Sequence, residues 1–242
     1  MVMGISYSPK IVTDGLVLCY DAANTRSYPG TGTTWTDISA GFSDSLVSRS
    51  TADNGTLTNG PTFDTTNKGS IVFDGTNDRI AIPIASLPAP NNSANFTYEA
   101  VVKFDSLGWR TVFSQNAGSG TGRIFLGVHG TNSKLVTFIT GSVKQPDFSA
   151  VSTGTIYHLA VKMSQAPLEA EATISIGFNG VWDVVSGDAF NYTGTGDINI
   201  GCEPNAGGGF LDGNILAVRI YNRPLSDDEL YKNYRTIKGR YS

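Results

Sequence analysis

The acidic residues are the first candidates for chemistry, because glycoside hydrolysis needs carboxylates that project together from one face of a strand. Glu99 and Asp105 fall on one face of an alternating segment, but Lys103 lies between them on that face. Glu169 and Glu171 lie beside a proline in a predicted turn. The pattern therefore predicts solvated surface carboxylates and no acid–base pair.

His129 and His158 are the candidates for an imidazole base, and neither suggests a catalytic triad. Cys19 and Cys202 lack the spacing of a metal site. The two thiols are interpreted as buried and reduced, and a bridge between an early and a late strand is the open alternative. We therefore expect a protein that is not an enzyme.

Sugar binding is the other chemistry that the residues allow, since aromatic rings stack on sugars while amides and carboxylates bind hydroxyl groups. The aromatic residues nearest the predicted turns are Tyr28, Trp35, Trp109 and Trp182. Each is a candidate carbohydrate-binding residue, and each is equally consistent with a place in the core or in an interface.

Composition excludes several classes of partner. The 242 residues carry a net charge of −4, and the isoelectric point is about 5.1, so no basic field attracts nucleic acid or a membrane surface. No continuous apolar run is long enough to cross a bilayer, and the first nine residues do not resemble an export signal. We expect a soluble protein that is not secreted.

Alternation of apolar and polar residues dominates the chain and predicts β-strands. The predicted strands cover 16–20, 70–73, 79–82, 96–105, 111–114, 123–128, 135–139, 156–163, 173–178, 181–185, 197–200 and 213–221. The segment 96–105 is predicted to be half-buried, with Glu99 on the solvent side. Turns rich in Gly and Asn separate the strands, as Asn179-Gly180 does. The polar stretch 31–62 is predicted to be a surface loop.

One helix is predicted at the C-terminal end, over residues 227–238. Ser226 and Glu229 have the spacing of a capping box, and Leu225 and Leu230 occupy the positions of a hydrophobic staple. An apolar stripe continues along the helix to Ile237. The helix is therefore expected to pack against the sheets.

The chain resembles the concanavalin A-like lectin/glucanase superfamily, and within it the laminin G-like domains. Six segments occur in the order of those proteins, namely SIVFDGTNDRIAIP, FTYEAVVKF, IYHLAVKM, ISIGFNG, INIG and FLDGNILAVRIYNRPLSDDEL. The resemblance implies an all-β jelly-roll sandwich of two antiparallel sheets over residues 15–242, preceded by an N-terminal arm at 1–14. The carboxylate triplet of the glucanase branch is missing.

The resemblance also implies calcium, which laminin G-like domains often bind at the rim of the sandwich. The candidate ligands are Asp74, Asn77, Asp78 and Asp212. Their spacing is not that of an EF-hand. Asx turns explain the same residues without a metal, and this is the favoured alternative.

The N-terminal run IVTDGLVLCYDAANTRSYPGTGTTWTDIS and the closing NYRTIKGRYS are similar to laminin G-like proteins of tailed bacteriophages. That similarity implies a structural protein of the virion, such as a capsid decoration, head fibre or tail-associated protein. Its expected partners are other virion proteins, in many copies per particle. The alternatives are an adhesin module for host or environmental polysaccharide and, least favoured, a glycan hydrolase.

Overall fold

The alternating segments form strands, and a single helix follows them. The computed structural model describes residues 10–39, 53–83, 95–116, 123–139, 142–147, 150–165, 172–188, 197–204 and 207–241. The elements within these residues are β1 (Leu16–Asp21), β2 (Thr34–Trp35), β3 (Gly55–Thr58), β4 (Thr62–Asp64), β5 (Ser70–Asp74), β6 (Arg79–Ile82), β7 (Phe96–Phe104), β8 (Arg110–Asn116), β9 (Arg123–Val128), β10 (Leu135–Ile139), β11 (Ser142–Lys144), β12 (Ile156–Ser164), β13 (Ala172–Phe178), β14 (Val181–Asp188), β15 (Ile198–Ile200), β16 (Asp212–Tyr221) and α1 (Asp227–Lys238).

The strands form two antiparallel sheets of eight strands each. Sheet A has the order β14-β13-β12-β7-β16-β5-β4, with β1 also paired to β16. Sheet B has the order β11-β10-β9-β8-β15-β6-β3-β2. The predicted fold class, an all-β sandwich with one C-terminal helix, is confirmed.

The main core lies between the two sheets. Side chains that alternate along β7, such as Tyr98, Val102 and Phe104, pack there with residues of sheet B such as Ile124 and Leu126. Burial of this apolar surface is the principal driving force for closing the two sheets on each other.

A second layer of packing lies on the outer face of sheet A, where α1 covers it. Val101 and Leu216 pack against Ile237 of α1. The prediction that β7 is half-buried is wrong, because Glu99 is only 1 % exposed and Thr97 is fully buried. Periodicity along one strand does not reveal a cover supplied by a helix about 130 residues later.

The helix begins and ends where the sequence predicts. Ser226 accepts a hydrogen bond from the Glu229 backbone N–H, and the Glu229 side chain accepts one from the Ser226 backbone. Leu230 and Ile237 are buried as expected. Asn233, a polar residue, is also fully buried on this face, which the apolar stripe does not predict.

The prediction of a surface loop over 31–62 is wrong for part of the stretch. β2, β3 and the first residue of β4 lie within it, and the side chain of Trp35 is fully buried against Tyr20, with ring centroids 5.1 Å apart. Strands of two to four residues are too short to show a clear alternation.

The folded unit includes part of the predicted N-terminal arm. The Val12 backbone N–H donates to Asn233 Oδ1 at 2.8 Å, and the Tyr221 hydroxyl donates to the Val12 carbonyl at 3.0 Å. Residues 1–9 of the arm lie outside the described residues. Cys19 and Cys202 are both buried, and no disulfide joins them. A search of the described residues for a helix able to span a membrane finds none.

Candidate functional site

Three connections between strands meet at one end of the sandwich, and we call this surface the rim. They are residues 75–78, residues 105–109, and the described parts of the connection between β15 and β16, residues 201–204 and 207–211. The Gly75 N–H donates to the Leu211 carbonyl, and the Asp105 N–H donates to the Asp212 carbonyl, both at 2.9 Å. These hydrogen bonds hold together three segments that are far apart in the sequence.

Trp109 is held in a defined orientation on the rim. Its indole N–H donates to Glu203 Oε1, and its ring stacks on Phe125 with centroids 5.3 Å apart and planes inclined by 18°. His129 contacts it edge-on at 5.6 Å. The ring is half-buried, so it combines a fixed position with a partly exposed surface, which is what stacking on a sugar requires.

Arg110 joins two of the rim connections to each other. Its Nη1 donates to the Phe210 carbonyl at 2.9 Å, and its Nη2 donates to Ser106 Oγ at 2.7 Å. Gly209 has a φ of +57°, and a Cβ atom there would lie 2.9 Å from Trp109 Cδ1. The connection 201–211 therefore approaches Trp109 as closely as glycine permits.

The comparisons with known proteins bear on this arrangement. The sequence family described as the concanavalin A-like lectin/glucanases superfamily matches residues 74–231. The chain belongs to this superfamily. Comparison with curated protein sequences gives no match.

Several solved structures are similar to the chain in fold, although their sequence identity to it is low. Trypanosoma rangeli sialidase in complex with sialic acid is 17% identical with a TM-score of 0.64, and the match covers 91% of this chain and 32% of that one. Domain 4 of an extracellular arabinanase from Geobacillus stearothermophilus, in complex with arabinotriose, is 16% identical with a TM-score of 0.59, covering 90% and 98%. The receptor-binding domain of botulinum neurotoxin type G is 13% identical with a TM-score of 0.58, covering 92% and 51%. The chain spans about a third of the length of the sialidase.

The residues predicted to bind calcium also lie on the rim. Asp74 at the end of β5 is paired with Asp212 at the start of β16. Asp74 Oδ1 accepts from the Thr76 N–H at 2.8 Å and from the Asn77 N–H at 3.4 Å, and these hydrogen bonds lower the pKa of Asp74. Asp78 Oδ2 accepts from the Asp74 N–H at 3.0 Å, and burial raises the pKa of Asp78.

Asx-turn geometry accounts for these carboxylates, because their oxygens serve backbone amides within the turn. Among the residues that the structure describes, no three His, Cys, Asp or Glu side chains are grouped so that they could hold a metal ion. The hydrogen bonds of Asp74 and Asp78 are those of the turn, and the calcium site stays a prediction.

Two of the predicted sugar-binding aromatics belong to the core of the superfamily sandwich. Trp35 is fully buried, and Tyr28 is 3% exposed with its ring 5.5 Å from that of Phe63. Neither ring offers a face to a sugar. Short strands and a turn bury both rings. The sequence showed only that the two residues lie near predicted turns, and this position did not reveal their burial.

Trp182 lies on β14, at the edge of sheet A and away from the rim strands. Its half-buried ring packs edge-on against His158, with centroids 6.1 Å apart. Val184, two residues along the same edge strand, is 64% exposed. Trp109 is therefore the predicted aromatic that combines partial exposure with polar neighbours.

A buried polar cluster lies between sheet A and α1. Glu99 Oε2 accepts from Asn233 Nδ2 at 2.9 Å and lies 3.5 Å from Arg219 Nη1, while Glu99 Oε1 lies 3.2 Å from His158 Nε2. Burial raises the pKa of Glu99, but the charges and hydrogen bonds of His158, Arg219 and Asn233 outweigh it and lower the pKa below its ordinary value. Asn233 also donates to the Tyr221 hydroxyl at 3.0 Å.

The sequence did not single out Glu203 or Arg110 as rim residues. A signal was present, because Arg110 directly follows Trp109, and Glu203 follows a buried strand and precedes a Gly-rich loop. Charged residues at strand ends beside such loops commonly serve binding.

Proposed function

We propose that this chain is a non-catalytic domain that binds carbohydrate at the rim. The observation that carries the proposal is the clamped, half-buried ring of Trp109, whose indole N–H donates to the Glu203 carboxylate. The Arg110 guanidinium lies on the same rim, where it binds the Phe210 carbonyl. An aromatic surface flanked by charged hydrogen-bonding groups suits the alternating apolar faces and hydroxyl groups of a sugar.

The likeness to the arabinanase domain supports this proposal. The match covers 98% of that domain, which was solved with arabinotriose. The sialidase match is a weaker argument, because the aligned region is about a third of that protein. Both identities are under 25%, so they establish a common sandwich and leave the ligand to experiment.

We further propose that the domain is displayed on the surface of a phage particle, in many copies, by attachment to other virion proteins. The observation in favour is the place where the N-terminal arm joins the sandwich. Leu16 pairs with Tyr221 at one end of β16, whereas the rim residue Asp212 is at the other end. Ten residues of strand span roughly 30 Å, so attachment through the N-terminal arm leaves the rim free.

Binding to a glycan array that includes arabinan and sialylated glycans tests the first proposal. Trp109→Ala should weaken binding at least tenfold, because the stacking surface is lost, and Glu203→Gln should weaken it because a charged acceptor is lost. Trp182→Ala is the matched control, since it removes a half-buried tryptophan elsewhere on the sandwich. Equal losses in both tryptophan variants, or no binding by the wild type, would reject the proposal.

Release of new reducing ends from the bound polysaccharide would contradict the non-catalytic assignment.

The same preparation should give no heat on titration with calcium after treatment with a chelator, because the rim carboxylates serve backbone amides. A calcium-dependent rise in melting temperature would restore the calcium site.

Co-sedimentation with particles that lack this protein tests the second proposal. The full chain should sediment with the particles, and a variant without residues 1–10 should remain in the supernatant while keeping its fold. The variant Trp109→Ala should attach normally, because the rim lies at the opposite end. Attachment of the truncated chain would place the contact elsewhere.

A further inference from the structure

A second cleft lies away from the rim, on the outer side of sheet A beside the end of α1. Its volume is about 140 Å³, close to that of cavities that accept a molecule the size of benzene. Ile11, Ile38 and Ile237 supply apolar walls, while Arg219 and Arg240 supply guanidinium groups. The carbohydrate proposal does not use any of these residues.

Arg219 reaches the cleft from β16. Its side chain is only 5% exposed, and one end of its guanidinium lies 3.5 Å from Glu99 Oε2. Its Nε is buried and has no hydrogen-bond partner among the residues that the structure describes, while another part of its side chain interacts with the Cys19 thiol at the wall of the cleft. A buried N–H without a partner costs free energy, which binding of an acceptor recovers.

Arg240 approaches from the turn after α1. Its Nη2 donates to Asp21 Oδ1 at 2.6 Å and also to the other carboxylate oxygen. Its Nη1 is buried and, within the described parts of the chain, has no partner. Asp21 therefore occupies one edge of the guanidinium and leaves another donor available.

The acidic groups around the cleft already have partners within the protein. Burial raises the pKa of the Cys19 thiol to about 12, so this wall of the cleft stays uncharged near neutral pH. Glu99, Asp21 and Asp37 are carboxylates nearby. Glu99 and Asp21 are each paired with an arginine, and Asp37 Oδ1 accepts from the backbone N–H groups of Cys19 and Ser39, both at 2.8 Å. Two cations, each already matched by one carboxylate, predict weak binding of a monovalent anion.

We propose that this cleft binds a small organic oxyanion, with the charged head on Arg219 and Arg240 and an apolar tail against the three isoleucines. Guanidinium groups match the geometry of carboxylate and phosphate oxygens. The apolar walls favour a short-chain carboxylate over inorganic phosphate, which has no apolar part.

Methyl NMR of isoleucine-labelled protein during titration with butyrate tests the inference. The signals of Ile11, Ile38 and Ile237, assigned by Ile→Val variants, should shift together and saturate in the millimolar range. Sodium chloride at equal ionic strength and butanol are the controls for charge screening and for the apolar tail. Titration with inorganic phosphate tests the charged head group without an apolar tail, and it should shift the isoleucine signals less than butyrate does.

Two variants separate binding from folding. Arg240→Gln should abolish the shifts, and Thr236→Leu, which places a larger side chain in the wall of the cleft, should do the same while keeping both arginines. Arg235→Gln is the matched control, since it removes an exposed charge from the same helix. Shifts that persist in Arg240→Gln, or that sodium chloride or butanol reproduces, overturn the proposal. The glycan-array experiment tests Trp109 at the rim and not this cleft. A negative result with butyrate therefore leaves the rim proposal unaffected.

Discussion

At the scale of single residues, Glu99 shows how burial changes what a charged side chain does. It lies on the outer face of β7 beneath α1, next to Arg219, His158 and Asn233. A buried carboxylate in such a cluster stabilises the fold only while its partners remain in place. We therefore assign it a structural role between sheet and helix.

Replacement of Glu99 by Gln should lower the free energy of unfolding by about 3–5 kcal/mol, because Arg219 is left without its buried counter-charge. Urea unfolding followed by tryptophan fluorescence measures this change. Asp228→Asn, at an exposed position on α1, is the control and should have little effect. A loss under 1 kcal/mol at Glu99 would contradict the role assigned to the cluster.

The pH dependence of stability follows from the same carboxylate. The pKa of Glu99 is lowered in the folded state, so its contribution is complete above the unfolded pKa of about 4.3. The contribution is lost as the pH falls through the folded pKa. Acid titration of wild type and Glu99→Gln should therefore show a steeper loss of stability below pH 4.3 in the wild type.

At the scale of elements, the hairpin between β13 and β14 is fitted to the helix. Asn179 and Gly180 both have positive φ values, of 53° and 88°, as a two-residue hairpin turn requires. A Cβ atom on Gly180 would lie 2.8 Å from Tyr231 Cδ2 of α1. The turn therefore sets how closely β13 and β14 can approach the helix.

Gly180→Ala should destabilise the protein more than Gly154→Ala does. Both glycines have positive φ, but a Cβ atom on Gly154 would meet no atom within 4 Å. The strained backbone is common to both variants, so the difference in urea midpoint reports the contact with α1. Equal midpoints would show that the helix does not constrain the turn.

At the scale of the whole molecule, β16 runs from the rim to the end of the sandwich where the chain enters. Its first residue, Asp212, is at the rim, and its last, Tyr221, is beside the entry of the chain and α1. Two residues before Tyr221, Arg219 belongs to the buried cluster and lines the second cleft. The proposed attachment and the proposed ligand site would therefore lie at opposite ends of one central strand.

Removal of residues 227–242 should leave a protein without a fixed tertiary structure. The deletion uncovers Val101 and Leu216 and removes Asn233 from the Glu99 cluster. We expect loss of the near-ultraviolet circular dichroism signal and binding of a hydrophobic dye, with β-structure retained in the far ultraviolet. A cooperative thermal transition in the truncated chain would show that the sandwich is stable without its helix.

Much of the fold could be predicted from the sequence, because strands and helix caps depend on residues close together in the chain. The alternation in 96–104 and the capping box at Ser226 identify β7 and α1 directly. The short strands β2 and β3 were missed, since two to four residues carry too little periodicity. Trp109 was among the predicted site residues, whereas Glu203 and Arg110 were not.

By itself, the sequence determined the fold class, the position of the helix and the alternation of apolar side chains along strands such as β7, since these follow from local periodicity and capping. Only the tertiary structure decided that Trp35 lies in the core while Trp109 lies on the rim, and that Glu99 is buried under α1. Exposure of a side chain depends on what packs over it, and that cover comes from residues far away in the chain.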